Sequence, residues 1–233
     1  MHLSRKQIAG LPARPLHTGR NATKASIDLV QVGGRAVVVK DVAGRPAPVR
    51  WWLGPWQLDR ECVAYRRLEG LAGVPRLLSR LDRQAIALEF VDGPALAILR
   101  RGDLTEGFFN QLEGLVRAMH ARGVAHGDLH RHDVLRGPDG APRIVDFSTS
   151  LTAGTGWLRH LLFRQMCQAD RRAVAKLRAR FLGAGAAAPS PPRPALYRAG
   201  HLLGRLLRPL RRKGDRPPRG TPPGSPPAGT GRR

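Results

Sequence analysis

The chain has 233 residues, 42% of them hydrophobic, enough for one sizeable core shared by two lobes. No window reaches the roughly 18 uninterrupted apolar residues of a membrane span, and the opening MHLSRKQIAGLPARP lacks the apolar run of a secretory signal, so a cytoplasmic protein is expected. A formal charge of +23 invites a polyanion or an anionic surface as partner, but no recognition motif accompanies it, and specific nucleic-acid binding is not expected.

Residues 1–22 are basic and carry only weak structural signals, so an irregular segment is expected there. Ile27, Leu29, Val30 and Val32 then lead to Gly33-Gly34, and Ala36-Val37-Val38-Val39 follow. This predicts a hairpin with a Gly-Gly turn, its second strand ending at Lys40. Trp56 to Gly70 places Leu58, Cys62, Tyr65 and Leu68 on one helical stripe. Glu61, three residues after Leu58 and four before Tyr65, points into that stripe, where a carboxylate is costly unless paired. Tyr65 and the arginines of the same helix are two candidate partners. Arg76-Leu77-Leu78 and Ala85 to Val91 read as strands, stopped by Asp92-Gly93-Pro94. Asp103-Leu104-Thr105-Glu106 is an acidic variant of the capping box. It opens a helix with Leu104, Phe108, Leu112, Leu115, Val116 and Met119 on one face, ending near Gly123. Cys62 and Cys167 are isolated, which suggests neither a disulfide framework nor a zinc site.

The next stretch, His126 to Ser148, reads HGDLHRHDVLRGPDGAPRIVDFS. Val134-Leu135-Arg136 and Arg143-Ile144-Val145 are short strands, and Gly137-Pro138-Asp139-Gly140 between them has the chemistry of a turn. That hairpin brings Asp146, beyond the second strand, towards Asp128 and Asp133, ahead of the first. Acids gathered this way repel unless a cation or a shared proton offsets the repulsion, and a divalent metal is the natural occupant. Farther on, Trp157, Leu158, Leu161, Leu162 and Met166 predict one helix, and Asp170 is expected to cap another with Val174, Leu177 and Phe181 inward.

The order Asp128-Leu129, then Asp133-Val134-Leu135, then Asp146-Phe147-Ser148 resembles the catalytic loop and metal-binding turn of the protein-kinase-like phosphotransferases. His-Gly-Asp in place of His-Arg-Asp is similar to the RIO-type atypical kinases, the lipopolysaccharide-core sugar kinases and the antibiotic phosphotransferases. The resemblance implies ATP and magnesium as cofactors and a hydroxyl-bearing acceptor. It implies that Asp128 orients the acceptor hydroxyl, that Asp146 binds the principal metal and that Asp133 assists. Asp133 stands where asparagine is usual, and Ser148 where glycine is usual. The resemblance further implies that Lys40 contacts the phosphates with Glu61 holding it. Glu89 to Val91 becomes the interlobe hinge, whose backbone holds the adenine edge, with Val38 and Leu135 as apolar plates or as plain core. Residues 19–27 take the place of the glycine-rich loop with a single glycine, leaving Thr23 and Lys24 as side-chain donors to phosphate. His126 is expected to pack and hydrogen-bond rather than act as a base. No Ala-Pro-Glu element follows, so the peptide-docking platform of ordinary protein kinases is not expected, and without the arginine of His-Arg-Asp neither is control by activation-loop phosphorylation.

From Gly183 onward lie 11 of the 20 prolines, 9 of the 27 glycines, 11 Lys or Arg and one acid, Asp215. This 183–233 tail is expected to be disordered over 214–233. Its 195–213 stretch, ALYRAGHLLGRLLRPLRRK, is a basic amphipathic helix candidate that either lies on an anionic membrane or docks on the second lobe. The fold class expected is α+β: a two-lobed protein-kinase-like fold with a small β-rich lobe (23–92) and a reduced helical lobe (93–182). The expected function is phosphotransfer to an envelope saccharide or to protein Ser/Thr. A nucleotide-binding scaffold without transfer, or a basic polyanion- or membrane-binding protein, are the alternatives.

Overall fold

The computed structural model describes residues 3–8, 10–17 and 25–183. The stretch 18–24 with Thr23 and Lys24, and everything from 184 on, including the 195–213 stretch, lie outside the described residues.

Five antiparallel strands form the sheet of the small lobe in the order β1-β2-β3-β5-β4: β1 (Ala13–His17), β2 (Ser26–Val32), β3 (Arg35–Asp41), β4 (Leu77–Asp82) and β5 (Ala85–Glu89). Gly33 and Gly34, at φ 56° and 76°, make the tight β2–β3 turn that the sequence predicts. Strand alternation then sorts β3 by face. Val37 and Val39 point to one side, where they pack with Leu3, Val30 and Ala87. Val38 and Lys40 point to the other, where Val38 meets the main core.

The residues expected to be irregular at the N-terminus are built into this lobe. Ala13–His17 adds the β1 edge strand, and a short helix α1 (Arg5–Ile8) precedes it. Leu3 is buried against the sheet, and its carbonyl accepts the Ser79 hydroxyl at 2.8 Å. Arg5 pairs with Asp41 at 2.7 Å and also with Asp82. Both cations and apolar groups of this segment thus find partners only in tertiary contact, which is why no local pattern announces it.

On the Val38 and Lys40 side lies α2 (Gly54–Arg67), entered through a wide helical turn at Val49–Leu53. Its stripe of Leu58, Cys62 and Tyr65, with Leu68 just beyond, joins one core that continues into the second lobe. There α3 (Glu106–Ala121) contributes Phe108, Phe109, Leu112, Leu115, Val116 and Met119. Its cap is Thr105 rather than Asp103: the Thr105 side chain accepts the Phe108 N–H at 3.3 Å. A capping residue must be extended immediately before the first helical turn, as Thr105 is (φ −95°, ψ 166°), while Asp103 accepts the Arg100 N–H at 2.6 Å instead. Short pairs β6 (Val124–Ala125) with β9 (Leu151–Thr152), and β7 (Val134–Arg136) with β8 (Pro142–Ile144), carry the loops of the site. One helix, α4 (Trp157–Leu182), replaces the two that were expected. Asp170 lies inside it, fully buried, so it caps nothing.

Candidate active site

Lys40 is the meeting point of the lobes. Its Nζ lies 2.5 Å from Glu61 Oε1 of α2 and 2.9 Å from Asp146 Oδ1, at the turn after β8. Lys40 is 5% exposed and Glu61 1%, so the phase of Glu61 on its helix delivered the carboxylate into the core, and Lys40 is what pairs it there. Burial pulls the Lys40 ammonium down, but Asp146 and Glu61 more than reverse this and hold it well above the ordinary lysine value. Lys40 in turn keeps the Asp146 carboxyl well below the usual range, against a smaller opposing effect of burial.

Asp146 sits in left-handed backbone (φ 64°, ψ 75°), the one non-glycine residue with positive φ among the described residues. Such a conformation persists only where neighbours over-determine it. Phe147 does so: it is buried edge-on to Tyr65 of α2 at 5.1 Å and 5.2 Å from the His126 ring. The aromatic anchor turns the acid outward towards Lys40.

The catalytic-loop segment is held from beneath. Asp170 accepts the backbone N–H groups of His126 and Gly127, both at 2.8 Å, and lies 2.9 Å from His120 Nε2. The buried His126 ring faces the Val145 carbonyl through Nε2 at 3.1 Å, a packing and bonding position. Sequence reasoning missed Asp170 as an anchor. The signal was there, because Asp170 is spaced with Cys167, Val174 and Leu177 on the buried face of α4, the same argument that picked out Glu61.

The three acids do not form the tight cluster expected of them. Asp128 is exposed, with no hydrogen bond or ion pair to its carboxylate among the described residues. Asp133 is buried and turns Oδ2 to the backbone N–H of His130 at 3.0 Å and to the His130 ring. Burial pushes its carboxyl up, with His126 and His130 opposing. Among the described residues no group of three or more His, Cys, Asp or Glu converges as a metal cage. Asp133 and Asp146 have each taken a cationic or N–H partner of their own, and Asp128 faces solvent, which relieves the mutual repulsion. Asp133 and Asp146 are nonetheless neighbours in backbone, since the Val145 N–H donates to the Asp133 carbonyl at 2.9 Å. The bonds to Asp146 go to Oδ1 and those to Asp133 go to Oδ2, so each retains one oxygen without a donor among the described residues. Two hard oxygens, one from an acid held ionised, fit a small divalent cation that completes its shell with phosphate and water.

Of the remaining sequence-predicted positions, Val38 pairs with Leu88, and Leu135 bridges Ala95. Both are half-buried, whereas Val37, Val39 and Val134 beside them are buried. Glu89 spends its carboxylate on Arg76, whose backbone N–H it accepts at 3.1 Å, and Val91 follows half-buried.

No family model matches the chain. Two curated relatives are the serine/threonine-protein kinase HAL5 of Saccharomyces cerevisiae, 40% identical over 57 residues, and CBL-interacting protein kinase 16 of Oryza sativa subsp. japonica, 35% identical over 98. The matches cover 24% and 39% of this chain but only 7% and 22% of those proteins. Among solved structures, the Rio2 kinase from Chaetomium thermophilum superposes with a TM-score of 0.62 over 80% of this chain and 62% of its own, at 16% identity. The same kinase in its ADP/Mg2+-phosphoaspartate complex gives 0.60 at 17% identity. With its five-stranded lobe, its lysine-bridged cleft and these likenesses, the chain is built on the protein-kinase-like fold.

Proposed function

We propose that the chain is an ATP-dependent phosphotransferase that moves the γ-phosphoryl group to a hydroxyl acceptor. The observation that carries this reading is Lys40, an ammonium buried between Glu61 and Asp146 at the junction of the lobes. A buried ion pair is a poor way to gain stability, because apolar residues of the same volume do as well or better. Its value is a fixed, charged donor aimed at an anion. Glu61 would aim Lys40 at the α- and β-phosphates. Asp146 and Asp133 would hold magnesium through their remaining oxygens, and the metal supplies neutralisation of the phosphate charge. The structural likeness to a kinase crystallised with ADP and Mg2+ supports that choice of cofactors. Asp128, whose exposed carboxylate has no partner among the described residues, would orient the acceptor hydroxyl and take its proton as the acceptor oxygen bonds to the γ-phosphorus and ADP leaves. The half-buried Val38 and Leu135 suit plates above and below an adenine, with the backbone of Glu89 to Val91 at its edge.

Only eight residues separate Ser148 from Trp157. So short a segment favours a compact acceptor, a cell-envelope saccharide or lipid-linked sugar, over a docked peptide; RIO-like transfer to protein Ser/Thr is the competing acceptor class. A cytoplasmic enzyme at the inner membrane face, with the basic 195–213 stretch in contact with anionic lipid, agrees with that choice. In an assay of transfer from labelled ATP to envelope and protein fractions, Asp128→Ala is expected to lower the rate by about 100-fold or more while ATP-magnesium still raises the melting temperature. Unchanged transfer in Asp128→Ala rejects the role. A nucleotide-binding scaffold is favoured by one observation, the His130 contacts that hold Asp133. It predicts stabilisation by nucleotide with no transfer to any fraction.

A further inference from the structure

All four tryptophans of the chain are on its surface: Trp51 is 55% exposed, Trp52 77%, Trp56 54% and Trp157 79%. Indoles are ordinarily among the more buried side chains, yet here the aromatic residues of the main core are phenylalanines and Tyr65. The exposure is concentrated as well. Eight of the 11 large hydrophobic residues exposed among the described residues lie in two short segments, Trp51 to Trp56 and Trp157 to Leu162. Scattered apolar exposure needs no explanation, but concentrated exposure marks an interaction surface.

Both segments lie among arginines: Arg50 and Arg60 flank the first, and the second holds Arg159 with Arg164 just beyond it. No Asp or Glu occurs from Val42 to Leu58, or from Phe147 to Ala169. Arg50 stacks on the Trp51 ring at 5.2 Å, and Arg60 on the Trp56 ring at 4.6 Å. Arg60 also donates to the Ser150 carbonyl at 2.5 Å, and Arg159 to the Thr152 carbonyl at 3.1 Å, so a run of contacts leads from the first segment to the second. Each segment borders a surface hollow that sets indole beside guanidinium. One, about 530 Å³, is lined by Trp51, Trp52 and Arg83 with Ala47 and Pro48; the other, about 490 Å³, by Trp157, Leu161 and Arg164 with His160 and two glycines. Neither includes Lys40 or Asp146.

We infer that this tryptophan-arginine face docks on an anionic lipid bilayer, with indole and leucine at the level of the acyl-chain boundary and the arginines on lipid phosphate. Indole rings favour the interface between headgroup and hydrocarbon, and basic side chains near them gain from a negative surface. Charge selects this occupant over the others. A second copy, itself +23, would bring arginine against arginine, and so would the tail of this chain, which carries 11 Lys or Arg against one acid. A polynucleotide could stack on the indoles, but it has no use for the aliphatic Leu53, Leu158, Leu161 and Leu162 among them. The inference does not depend on phosphotransfer.

The sequence supplies its own probe, because the four tryptophans all lie in these two segments and residues 184–233 contain none. The full chain is titrated with vesicles of phosphatidylcholine, with and without phosphatidylglycerol. Anionic vesicles are expected to shift tryptophan emission to the blue, and acyl-brominated lipid to quench it, with both effects weakening as salt rises. Trp52→Ser with Trp157→Ser, at positions too exposed to support the fold, is expected to lower vesicle affinity about tenfold, equivalent to ~1.4 kcal/mol, with an unchanged melting temperature. Vesicle binding without a change in emission would assign the contact to the tail and overturn the inference. So would undiminished affinity in the double variant, or an emission change produced by single-stranded RNA or an acidic polypeptide but not by vesicles.

Discussion

Gly127 shows how a single residue can fix the character of the catalytic loop. Its backbone has φ 84°, and a Cβ there would lie 2.0 Å from Met166 Cε and 3.2 Å from the Thr149 carbonyl oxygen. The arginine that ordinary kinases carry between His and Asp has no room here, for reasons of backbone as much as of space. Gly127→Ala is expected to lose about 1–2 kcal/mol in denaturant unfolding, from the left-handed conformation alone, and Met166→Ala in the same chain to recover only the part due to contact. Full recovery would mean that the backbone is not the constraint. At Lys40 and Asp146 the shifted ionisations set a pH window. Asp146 is depressed, so its contribution is present above the unfolded carboxyl value of about 3.9 and disappears as pH falls through the lowered folded value. Lys40 is raised, so its contribution is complete below about 10.4 and disappears only as pH climbs through the raised value. The melting-temperature difference between the parent and Asp146→Asn should therefore stay flat from roughly pH 5 to 9, and shrink in acid. A difference that titrates near neutrality would contradict the pairing.

At the scale of elements, α4 does the work of a foundation. Its Asp170 takes two backbone N–H groups of the catalytic loop and the His120 ring in a site closed to solvent. Asp170→Asn keeps the shape but sets an NH2 against an N–H donor. A loss of about 3 kcal/mol is expected by chemical denaturation, together with faster hydrogen exchange at His126 and Gly127. Unchanged exchange there would show that the loop is held by other contacts. The helical phase that buried Glu61 was readable because apolar neighbours at three and four residues define a face. The same phase was present around Asp170, but aspartate is so favoured at helix starts that local reasoning preferred a cap.

Across the whole molecule, the sheet of the small lobe is covered on both faces, by α2 on one and by the N-terminal segment on the other. Leu3 completes the cluster of Val30, Val37, Val39 and Ala87, and Arg5 ties Asp41 to Asp82. Removing residues 1–11 is expected to lower stability by about 3 kcal/mol in chemical denaturation. A truncated chain as stable as the parent would show that this cover is dispensable. No helix among the described residues is long and apolar enough to cross a membrane.

What the amino-acid sequence determined alone was whatever repeats at the period of a strand or a helix, or is spelled in consecutive residues. The Gly33-Gly34 hairpin, the α2 stripe with Glu61 in it, and the hairpin carrying Leu135 up to Asp146 all belong here, because each is a local pattern with a local cause. Tertiary structure decided the rest. The N-terminal strand Ala-Arg-Pro-Leu-His has no alternation to read, and its partners lie in β2. Which partner each acid takes, Lys40 for Asp146, His130 for Asp133 and backbone N–H groups for Asp170, depends on side chains that meet only once the lobes have packed. Charge and hydrogen bonding act through space, and sequence order constrains that space only within an element.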